Sequence, residues 1–417
     1  MSSAQRYRLE SGEPLRLIGQ VQRYPWGKQG RLSRIAPFLG EGAAEGPLAE
    51  YWLGCHPKAP AEALLPNGSR ISLVELLPPH EQLPFMLKVL SINSSFGLSI
   101  QSHPDTELAR RLHSNCPQYY PDPFHKPEVG VALSDVKLLY NIKPAAELTG
   151  VIAAYPEILR LLSDETQQTL NAFNEGQAAL EVELRRGVFC DCIAAEESRV
   201  KEVVAAILAR YSEKKRADTP EPIAIMRRLS DKYGLGDAGL VAIVLMNLVR
   251  LRPGEGIFIG PNIPHAYLDG DLVECMACSD NVIRAGLTNK FRDVQTLIET
   301  TAYNIVDTPR CVLRRELAPH LWEYSLPTQD FTLAVVEPGA NRLELDLSRG
   351  DCIALCLGAR AVVNYKTAPN EVVLGDGEAL FLPRSGTLSS GAQCLVSTDN
   401  AQLFIAQALE RVTKEGF

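Results

Sequence analysis

The sequence predicts a mainly β protein that carries one helical insertion. Short apolar runs separated by Gly and Pro fill residues 1–140 and return after residue 253, as in a sandwich or barrel. Between about residues 143 and 250 the apolar residues adopt the spacing of amphipathic helices. Because 417 residues are too many for one ordinary core, we expect two or three domains.

The first β region contains apolar runs at residues 15–21, 85–90 and 129–133, which we predict to be strands. One helix interrupts them. Asp105 is its predicted N-cap, because an Asp side chain accepts hydrogen bonds from the free N–H groups of a first helical turn.

The helical pattern is clearest in residues 195–211. Six apolar side chains fall at positions i, i+3, i+4, i+7, i+8 and i+11 there, namely Val200, Val203, Val204, Ile207, Leu208 and Tyr211. This spacing places them on one face of a helix. We also predict helices in segments 155–163, 165–182 and 240–251.

Strands return in the last part of the chain, after a short helix at 294–301 capped by Asp293. The predicted strands are 331–336, 343–347, 353–357, 361–365, 379–382 and 403–408. Residues 254–261 (GEGIFIGP) and 377–383 (GEALFLP) repeat one turn-and-strand pattern. In jelly-roll barrels of the cupin kind such a pattern leads into a metal ligand, so the repeat favours two barrels.

These observations together predict three units. A discontinuous cupin-like barrel, which would become the catalytic one if the chain is an enzyme, would comprise residues 1–142 and 251–318. A helical insertion domain would comprise residues 143–250. Residues 319–417 would form a C-terminal cupin-like barrel without a metal site, because none of the seven histidines follows His320.

Composition excludes several classes of function. The formal net charge is −8 and there is no basic stripe, so we expect no nucleic-acid partner. The longest apolar run, 240–251, is too short to span a bilayer, so we expect no membrane partner. The N-terminus lacks a secretory signal, which predicts a cytoplasmic protein with ten reduced cysteines. We interpret the Cys275–Cys278 CxxC pair as structural.

Three segments carry groups that suit a metal. Gln101 and His103 lie two residues apart on a predicted strand and would share one face. Glu128 follows a His–Lys–Pro run, and His265 follows a Pro-rich turn before a strand. Each also has a purely structural interpretation, as a strand end, a charged turn or a hydrogen-bonded core histidine. Two histidines, one carboxylate and one amide oxygen suit zinc, and they also resemble the two-His, one-carboxylate site of iron enzymes.

Three cationic residues of the sequence are candidates for a binding role of their own. Arg284 and Lys290 lie in a segment too apolar for a solvated face, and both side chains can bind phosphate. Lys88 lies inside the apolar run 85–90, where a strand would bury it, so it needs a partner or extends to the surface.

Seven blocks, in this order, resemble type I mannose-6-phosphate isomerases (phosphomannose isomerases) of the cupin superfamily. They are YPWG (24–27), AEYWLGCHP (49–57), KVLSI (88–92), LSIQSHPD (98–105), HKPE (125–128), PHAY (264–267) and VECMACSDNVIRAGLT (273–288). They cover roughly residues 20–135 and 250–300. Pro25 and Cys55 depart from the family pattern, and neither is a proposed ligand.

The resemblance implies one Zn²⁺ per chain, and it implies the ligands Gln101, His103, Glu128 and His265. It implies the interconversion of mannose 6-phosphate and fructose 6-phosphate through an enediol (EC 5.3.1.8), which feeds GDP-mannose and mannose metabolism. Arg284 would then be catalytic.

Other roles in this reaction stay open at the level of sequence. Lys126 or Asp280 would shuttle protons, and a lysine beside a divalent cation loses its proton more readily. Further substrate contacts would come from Ser99, Lys88, Lys290, Glu274 and Trp26. A monomer is expected. The alternatives are an iron-dependent oxygenase and a non-catalytic sugar-binding protein.

Overall fold

The structure is a computed structural model that describes residues 13–40, 44–212, 218–304, 312–365, 371–384 and 394–409. Strands dominate these residues, which confirms the mainly β class. The strands before the helical region are β1 (Leu15–Ile18), β2 (Gln20–Gln22), β3 (Lys28–Gln29), β4 (Pro47–Leu48), β5 (Glu50–Gly54), β6 (Glu62–Leu64), β7 (Arg70–Ser72), β8 (Phe85–Ile92), β9 (Ile100–Ser102), β10 (Glu128–Ala132) and β11 (Val136–Ile142).

The strands after the helical region extend almost to the end of the described chain. They are β12 (Met246–Leu251), β13 (Gly256–Ile259), β14 (His265–Ala277), β15 (Ile283–Gly286), β16 (Arg314–Ala318), β17 (Leu321–Tyr324), β18 (Phe331–Val336), β19 (Leu343–Leu345), β20 (Cys352–Gly358), β21 (Ala361–Tyr365), β22 (Val372–Leu374), β23 (Ala379–Leu382), β24 (Cys394–Thr398) and β25 (Ala401–Ala408). Every strand predicted after residue 320 is present, with small changes of boundary.

Three of the helices lie outside the helical region, at Leu73–Leu76, Thr106–Asn115 and Val294–Thr300. Both predicted N-caps are confirmed. Asp105 accepts a hydrogen bond from the Leu108 N–H, and Asp293 accepts one from the Thr296 N–H. The Asp105 cap ends the segment that carries His103, so it also fixes where that segment leaves its strand.

The central strand of the ten-stranded sheet is β14. Its thirteen residues pair antiparallel with β8, β9, β10 and β11. The strand bends at Gly270, where φ is 114° and the register with β11 shifts nearby. A Cβ at this position would lie 2.6 Å from the Asp135 carbonyl oxygen, so glycine is required there. The bend lets one strand carry both His265 and Glu274.

The two faces of this sheet have different surroundings. Along β8, Leu90 and Ile92 belong to an apolar cluster on one face, whereas Leu87 and Val89 belong to a cluster on the other. The second cluster also contains residues of the nine-stranded sheet, so it is where the two sheets pack together. Lys88 alternates with Leu87 and Val89 and therefore faces away from that interface.

The nine-stranded sheet joins distant parts of the chain. Its strand order is β16-β17-β18-β25-β20-β23-β1-β6-β7, so three strands from the first 72 residues complete a sheet built mostly from residues after 314. Leu17 pairs with Ala379 and Ala63 across these boundaries. The predicted strand 15–21 is thereby split at Gly19, since β2 pairs with β5 in the ten-stranded sheet.

The repeated turn-and-strand pattern has the same backbone shape in both copies. Gly254 and Gly377 adopt φ values of 84° and 81°, and each is followed two residues later by a strand, β13 or β23. Because the left-handed region favours glycine, the shared Gly-Glu start of the two copies has a direct conformational reason.

The helices between β11 and β12 pack around one apolar cluster. They are Ala145–Ala154, Asp164–Asn174, Glu181–Ile193, Glu197–Ala209, Glu221–Tyr233 and Gly239–Leu245. The predicted stripe is confirmed, because Val200, Val203, Val204 and Ile207 are buried on one helix. The predicted helix 165–182 ends earlier, at Asn174, and a new helix begins at Glu181.

The prediction of one helix across residues 240–251 is wrong in its second half. The helix ends at Leu245, and Met246–Leu251 forms β12, which pairs with β11. An apolar run of this length does not distinguish a buried helix from a buried strand, and the available edge of β11 decides the outcome. No helix in the described ranges has the length and hydropathy of a membrane span.

Candidate metal centre

Three neighbouring strands bring predicted site residues into one row. In β9, Gln101 pairs with His265 of β14 on one side and with Arg284 of β15 on the other. Side chains directly opposite each other in antiparallel strands lie on the same face. Gln101, His265 and Arg284 therefore project from adjacent positions on one surface.

His103, Glu128 and His265 form a buried cluster. One potential ligand atom from each lies within 4.8 Å of the others. His103 Nε2 is 3.2 Å from Glu128 Oε1, and His265 Nε2 is 3.6 Å from Glu128 Oε2. Four ligand atoms around a zinc ion, each at about 2.0–2.2 Å, have mutual separations of this size.

The two histidines have their outer nitrogen fixed by the backbone. His103 Nδ1 is 2.9 Å from the Asn281 carbonyl oxygen, and His265 Nδ1 is 2.9 Å from that of Ile263. Since a carbonyl oxygen only accepts, each Nδ1 carries the proton. In a neutral ring of this tautomer Nε2 carries the lone pair, which is the form that binds a metal.

These lone pairs face a carboxylate rather than a donor. Both Nε2 atoms are buried without a hydrogen-bond partner. Burial lowers the pKa of His103 to about 4, so it is neutral at pH 7. Burial alone would raise the pKa of Glu128, but His103 and Lys126 lower it well below its usual value. A buried carboxylate that faces two imidazole nitrogens without hydrogen-bond partners is an arrangement that fits a divalent metal.

Gln101 stands beside this cluster through its pairing with His265, and Ser99 Oγ donates to its Oε1 at 3.2 Å. Lys126 is buried, and its Nζ lies 3.4 Å from Glu128 Oε1. The structure therefore places the fourth predicted ligand and one predicted proton carrier next to the three clustered residues.

A second charged layer lies along β8 and β14. Lys88 Nζ is 3.2 Å from Glu274 Oε2, and both side chains are buried. Burial and then the charge of Glu128 raise the pKa of Glu274 to about 7. Burial alone would lower the pKa of Lys88, but the carboxylates of Glu50, Glu274 and Glu128 raise it above its usual value. Lys88 therefore stays inside the protein as an ammonium.

Asp280 contacts a histidine and a lysine at the edge of the site. His56 Nε2 is 3.3 Å from its Oδ1, and Lys58 Nζ is 2.8 Å from its Oδ2. Partial burial raises the pKa of Asp280, but the hydrogen bonds from His56 and Lys58 lower it well below its usual range. Asp280 is thus an ionised carboxylate throughout the physiological range.

Arg284 and Lys290 add positive charge near Asp280, whose charge acts on both side chains. Burial lowers the pKa of Arg284, with Tyr120 and Asp280 close enough to oppose the shift. Within the described ranges Arg284 makes no ion pair, so its charge faces no fixed partner. Lys290 Nζ lies 5.6 Å from the centre of the Tyr24 ring, which stacks on Trp26 with ring centres 5.8 Å apart.

Two further residues, Glu50 and His56, lie at this site and were not predicted from the sequence. Glu50 is buried, receives the Trp52 indole N–H and raises the pKa of Lys88. Glu50 could have been predicted from the sequence, because it is a lone charge inside an apolar strand, as Lys88 is. The contact of His56 with Asp280 joins segments more than 200 residues apart, and no local pattern predicts it.

Comparisons with known proteins give a consistent result. Residues 15–145 match the family model for the catalytic domain of phosphomannose isomerase type I. Mannose-6-phosphate isomerase of Rattus norvegicus is 34% identical over 396 residues, covering 88% of this chain and 93% of the relative. The Homo sapiens enzyme of the same name matches with the same identity and coverage.

Solved structures show the same fold. One is mannose 6-phosphate isomerase from Salmonella typhimurium bound to fructose 6-phosphate and zinc, with a TM-score of 0.77 and 24% identity. The match covers 95% of this chain and 99% of that one. A mannose 6-phosphate isomerase structure bound with zinc and yttrium matches with a TM-score of 0.76 and 23% identity, over 95% and 99% of the two chains. Family model, relatives and fold agree: the chain belongs to the type I mannose-6-phosphate isomerase family.

Proposed function

We propose that this chain interconverts mannose 6-phosphate and fructose 6-phosphate through an enediol, with one zinc ion at the cluster described above. The observation that carries the proposal is the buried set of two Nε2 lone pairs facing one carboxylate. The structural neighbour that holds both fructose 6-phosphate and zinc supports the same ligands for this chain.

In this proposal His103, Glu128, His265 and Gln101 hold the ion and leave room for substrate oxygens. Zinc supplies Lewis-acid polarisation of the carbonyl and hydroxyl groups of the sugar. The close approach of Lys126 to Glu128 places its side-chain nitrogen beside the same position. Burial of all three clustered residues excludes bulk water, which strengthens every charge interaction in the site.

The positive groups at the opening suit the phosphate and the developing charge of the enediolate. Arg284 combines a planar fork of donors with the absence of an ion-pair partner in the described ranges, which suits it to stabilise an oxyanion or phosphate. Lys290 and Ser99 are the further candidates for the phosphate. Lys88 with Glu274, and the Tyr24–Trp26 stack, border the space for the sugar.

Two residues compete for the proton transfer between C1 and C2. Asp280 is ionised, so it suits a base and not an acid at neutral pH. Lys126 Nζ lies 3.4 Å from the proposed ligand Glu128, and a metal cation there favours its neutral form. We keep both, with Lys126 as the group to test first.

The proposed layout has a catalytic cupin barrel around the site (1–142 and 251–318), a helical insertion (143–250) and a C-terminal cupin-like barrel (319–417). Strands β1, β6 and β7 would complete the sheet of the last barrel. The monomeric state, the cytoplasmic location and the link to GDP-mannose stay predictions.

A coupled assay for fructose 6-phosphate, with and without a chelator, tests the proposal. We expect the chelator to abolish turnover and zinc to restore it. His103→Gln should lose both zinc and turnover, whereas His80→Gln, at an exposed histidine that is not part of the cluster, should keep both. Turnover that survives complete metal removal would contradict the proposal, and oxygen uptake restored by iron would favour the oxygenase alternative.

A further inference from the structure

One carboxylate joins two loops beside the metal cluster. The first loop, residues 121–125, directly precedes Lys126, and the second, residues 279–281, contains Asp280. Asp122 Oδ1 accepts hydrogen bonds from Ser279 Oγ at 2.8 Å and from Asn281 Nδ2 at 3.0 Å. Its Oδ2 accepts one from the Asp280 backbone N–H at 2.9 Å. Three consecutive residues of the second loop therefore bind the same side chain.

The backbone of the first loop reinforces this arrangement. Asn281 Nδ2 also donates to the carbonyl oxygens of Asp122 and Phe124, at 2.7 and 2.9 Å. Asp122 Oδ1 accepts the Phe124 N–H at 3.1 Å, which closes a local turn. Ser279 and Asn281 are buried, so these hydrogen bonds are not exchanged readily for bonds to water. We call these contacts the Asp122 clamp.

The clamp reaches the metal cluster through one carbonyl group. The backbone oxygen of Asn281 accepts the Nδ1–H of His103 at 2.9 Å. The direction of this carbonyl depends on the conformation of residues 279–281, which the clamp fixes. A partner on the outer nitrogen of a metal-bound histidine sets the tautomer and the orientation of the ring, and its loss typically weakens metal binding about 10–100-fold.

We propose that Asp122 is a positioning residue that sets the zinc affinity of the site by fixing the Asn281 carbonyl against His103. The same clamp also binds the backbone of Asp280 and the loop that directly precedes Lys126. It therefore fixes the positions of the two candidate proton carriers relative to the proposed metal. Among the described residues, Asp122 forms no hydrogen bond or ion pair with His103, Glu128 or His265. This inference rests on the zinc site of the proposed function.

The test measures zinc affinity of the full chain by competition with a chromogenic chelator. Asp122→Ala should weaken zinc binding about 10–100-fold. Ser279→Ala removes the hydrogen bond to Asp122 Oδ1 and the one that Ser279 Oγ accepts from the Asn281 N–H at 3.2 Å, but it leaves the other contacts of Asp122. It should therefore weaken zinc binding by a smaller factor in the same direction. Asp346→Ala is the matched control, because Asp346 likewise accepts a backbone N–H in a local turn, that of Ser348, but lies in the last part of the chain. It should leave zinc affinity unchanged.

Cobalt substitution supplies a readout that a general loss of stability does not change. Cobalt in the wild-type and Asp346→Ala chains should give the same visible absorption bands. In Asp122→Ala the bands should shift, because the His103 ring loses its fixed direction. Thermal unfolding of the metal-free variants shows which of them are folded, and Ser279→Ala carries the test if Asp122→Ala is not.

The outcomes separate this inference from the proposed function. Zinc affinity within twofold of wild type in the folded clamp variants would overturn the inference and leave the isomerase proposal intact. A wild-type chain that binds zinc at the expected affinity but does not isomerise the sugar phosphate would overturn the proposed function alone. A wild-type chain that does not bind zinc would overturn both.

Discussion

At the scale of single residues, the site is defined by charges that the protein cannot leave unpaired. The lone pairs of two histidines meet the carboxylate of Glu128, and the ammonium of Lys88 meets that of Glu274. From the residues alone, Lys88 was predictable as a charge inside an apolar run, whereas the ligand set of His103, Glu128 and His265 rested on the resemblance to the family. It did not find Asp122 or His56, whose importance depends entirely on long-range contacts.

The role of Lys126 leads to a direct prediction. Lys126→Met keeps the length and apolar stem of the side chain and removes the proton carrier. We expect turnover to fall about 10²–10⁴-fold with zinc content unchanged, the range typical of a lost general acid or base. Lys143→Met, at a partly buried lysine in the helical region, is the control and should stay near wild type. Near-normal turnover in Lys126→Met would remove it from the proton transfer and favour Asp280.

The raised pKa of Glu274 predicts a pH dependence of stability. In the folded, metal-free chain its pKa is about 7, above the ordinary value of 4.5. The folded state therefore holds a proton that the unfolded state releases, so this group stabilises the fold below about pH 4.5 and loses its contribution as the pH rises through about 7. Glu274→Gln should remove that dependence.

Chemical denaturation of both metal-free proteins between pH 5 and pH 8 measures the effect. The free energy of unfolding of the wild type should fall relative to that of Glu274→Gln across this interval. A constant difference between the two proteins would show that Glu274 does not titrate there. Zinc must be absent, because a cation beside Glu128 would lower the pKa of Glu274.

At the scale of elements, pairing partners decided what local patterns left undetermined. The apolar run 240–251 contains a helix and then β12, because the residues from Met246 onward pair with the free edge of β11. By contrast, the amphipathic stripe of Glu197–Ala209 and the N-caps Asp105 and Asp293 were predictable. Those features depend on residues within one or two turns, so the sequence alone specifies them.

The attachment of the helices to the sheet rests on a buried arginine. Arg185 donates to the carbonyl oxygens of Lys143 at 3.1 Å, of Ile142 at 2.8 Å and of Tyr303. Arg185→Met conserves much of the volume but leaves these carbonyls without their donor. We expect the free energy of unfolding to fall by about 2–4 kcal/mol.

A second arginine on a nearby helix provides the control for this substitution. Arg199 is exposed and donates to the Arg160 carbonyl oxygen, so Arg199→Met should change stability by less than about 1 kcal/mol. Urea denaturation of both variants makes the comparison. Equal stability of the two would mean that Arg185 does not hold the helices to the sheet.

At the scale of the whole molecule, the first and the last described strands lie in one sheet. β1 lies between β6 and β23, which connects the first 72 residues to the last hundred. The sequence predicted both groups of strands but divided them at residue 319, because strand partners separated by more than 350 residues leave no local signal. The similarity of residues 254–261 to residues 377–383 indicated that the turn is repeated. It did not indicate that β1, β6 and β7 belong to the sheet of the later strands.

The joint sheet predicts that these segments unfold together. In native-state hydrogen exchange, the amides of β1 should be protected to the same extent as those of β20 and β23, because all three are interior strands of one sheet. Mass spectrometry of peptic fragments measures this directly. Rapid exchange in β1 with slow exchange in β23 would show that the first strand is not an integral part of the sheet.

The central claim is that one zinc ion, held at His103, Glu128 and His265, makes this chain an isomerase of mannose 6-phosphate. Its most direct test is a titration of the metal-stripped full chain with zinc while fructose 6-phosphate formation is followed. We predict that activity rises linearly and reaches its plateau at one zinc per chain. Full activity before zinc is added, or no activity at any zinc content, would contradict the claim.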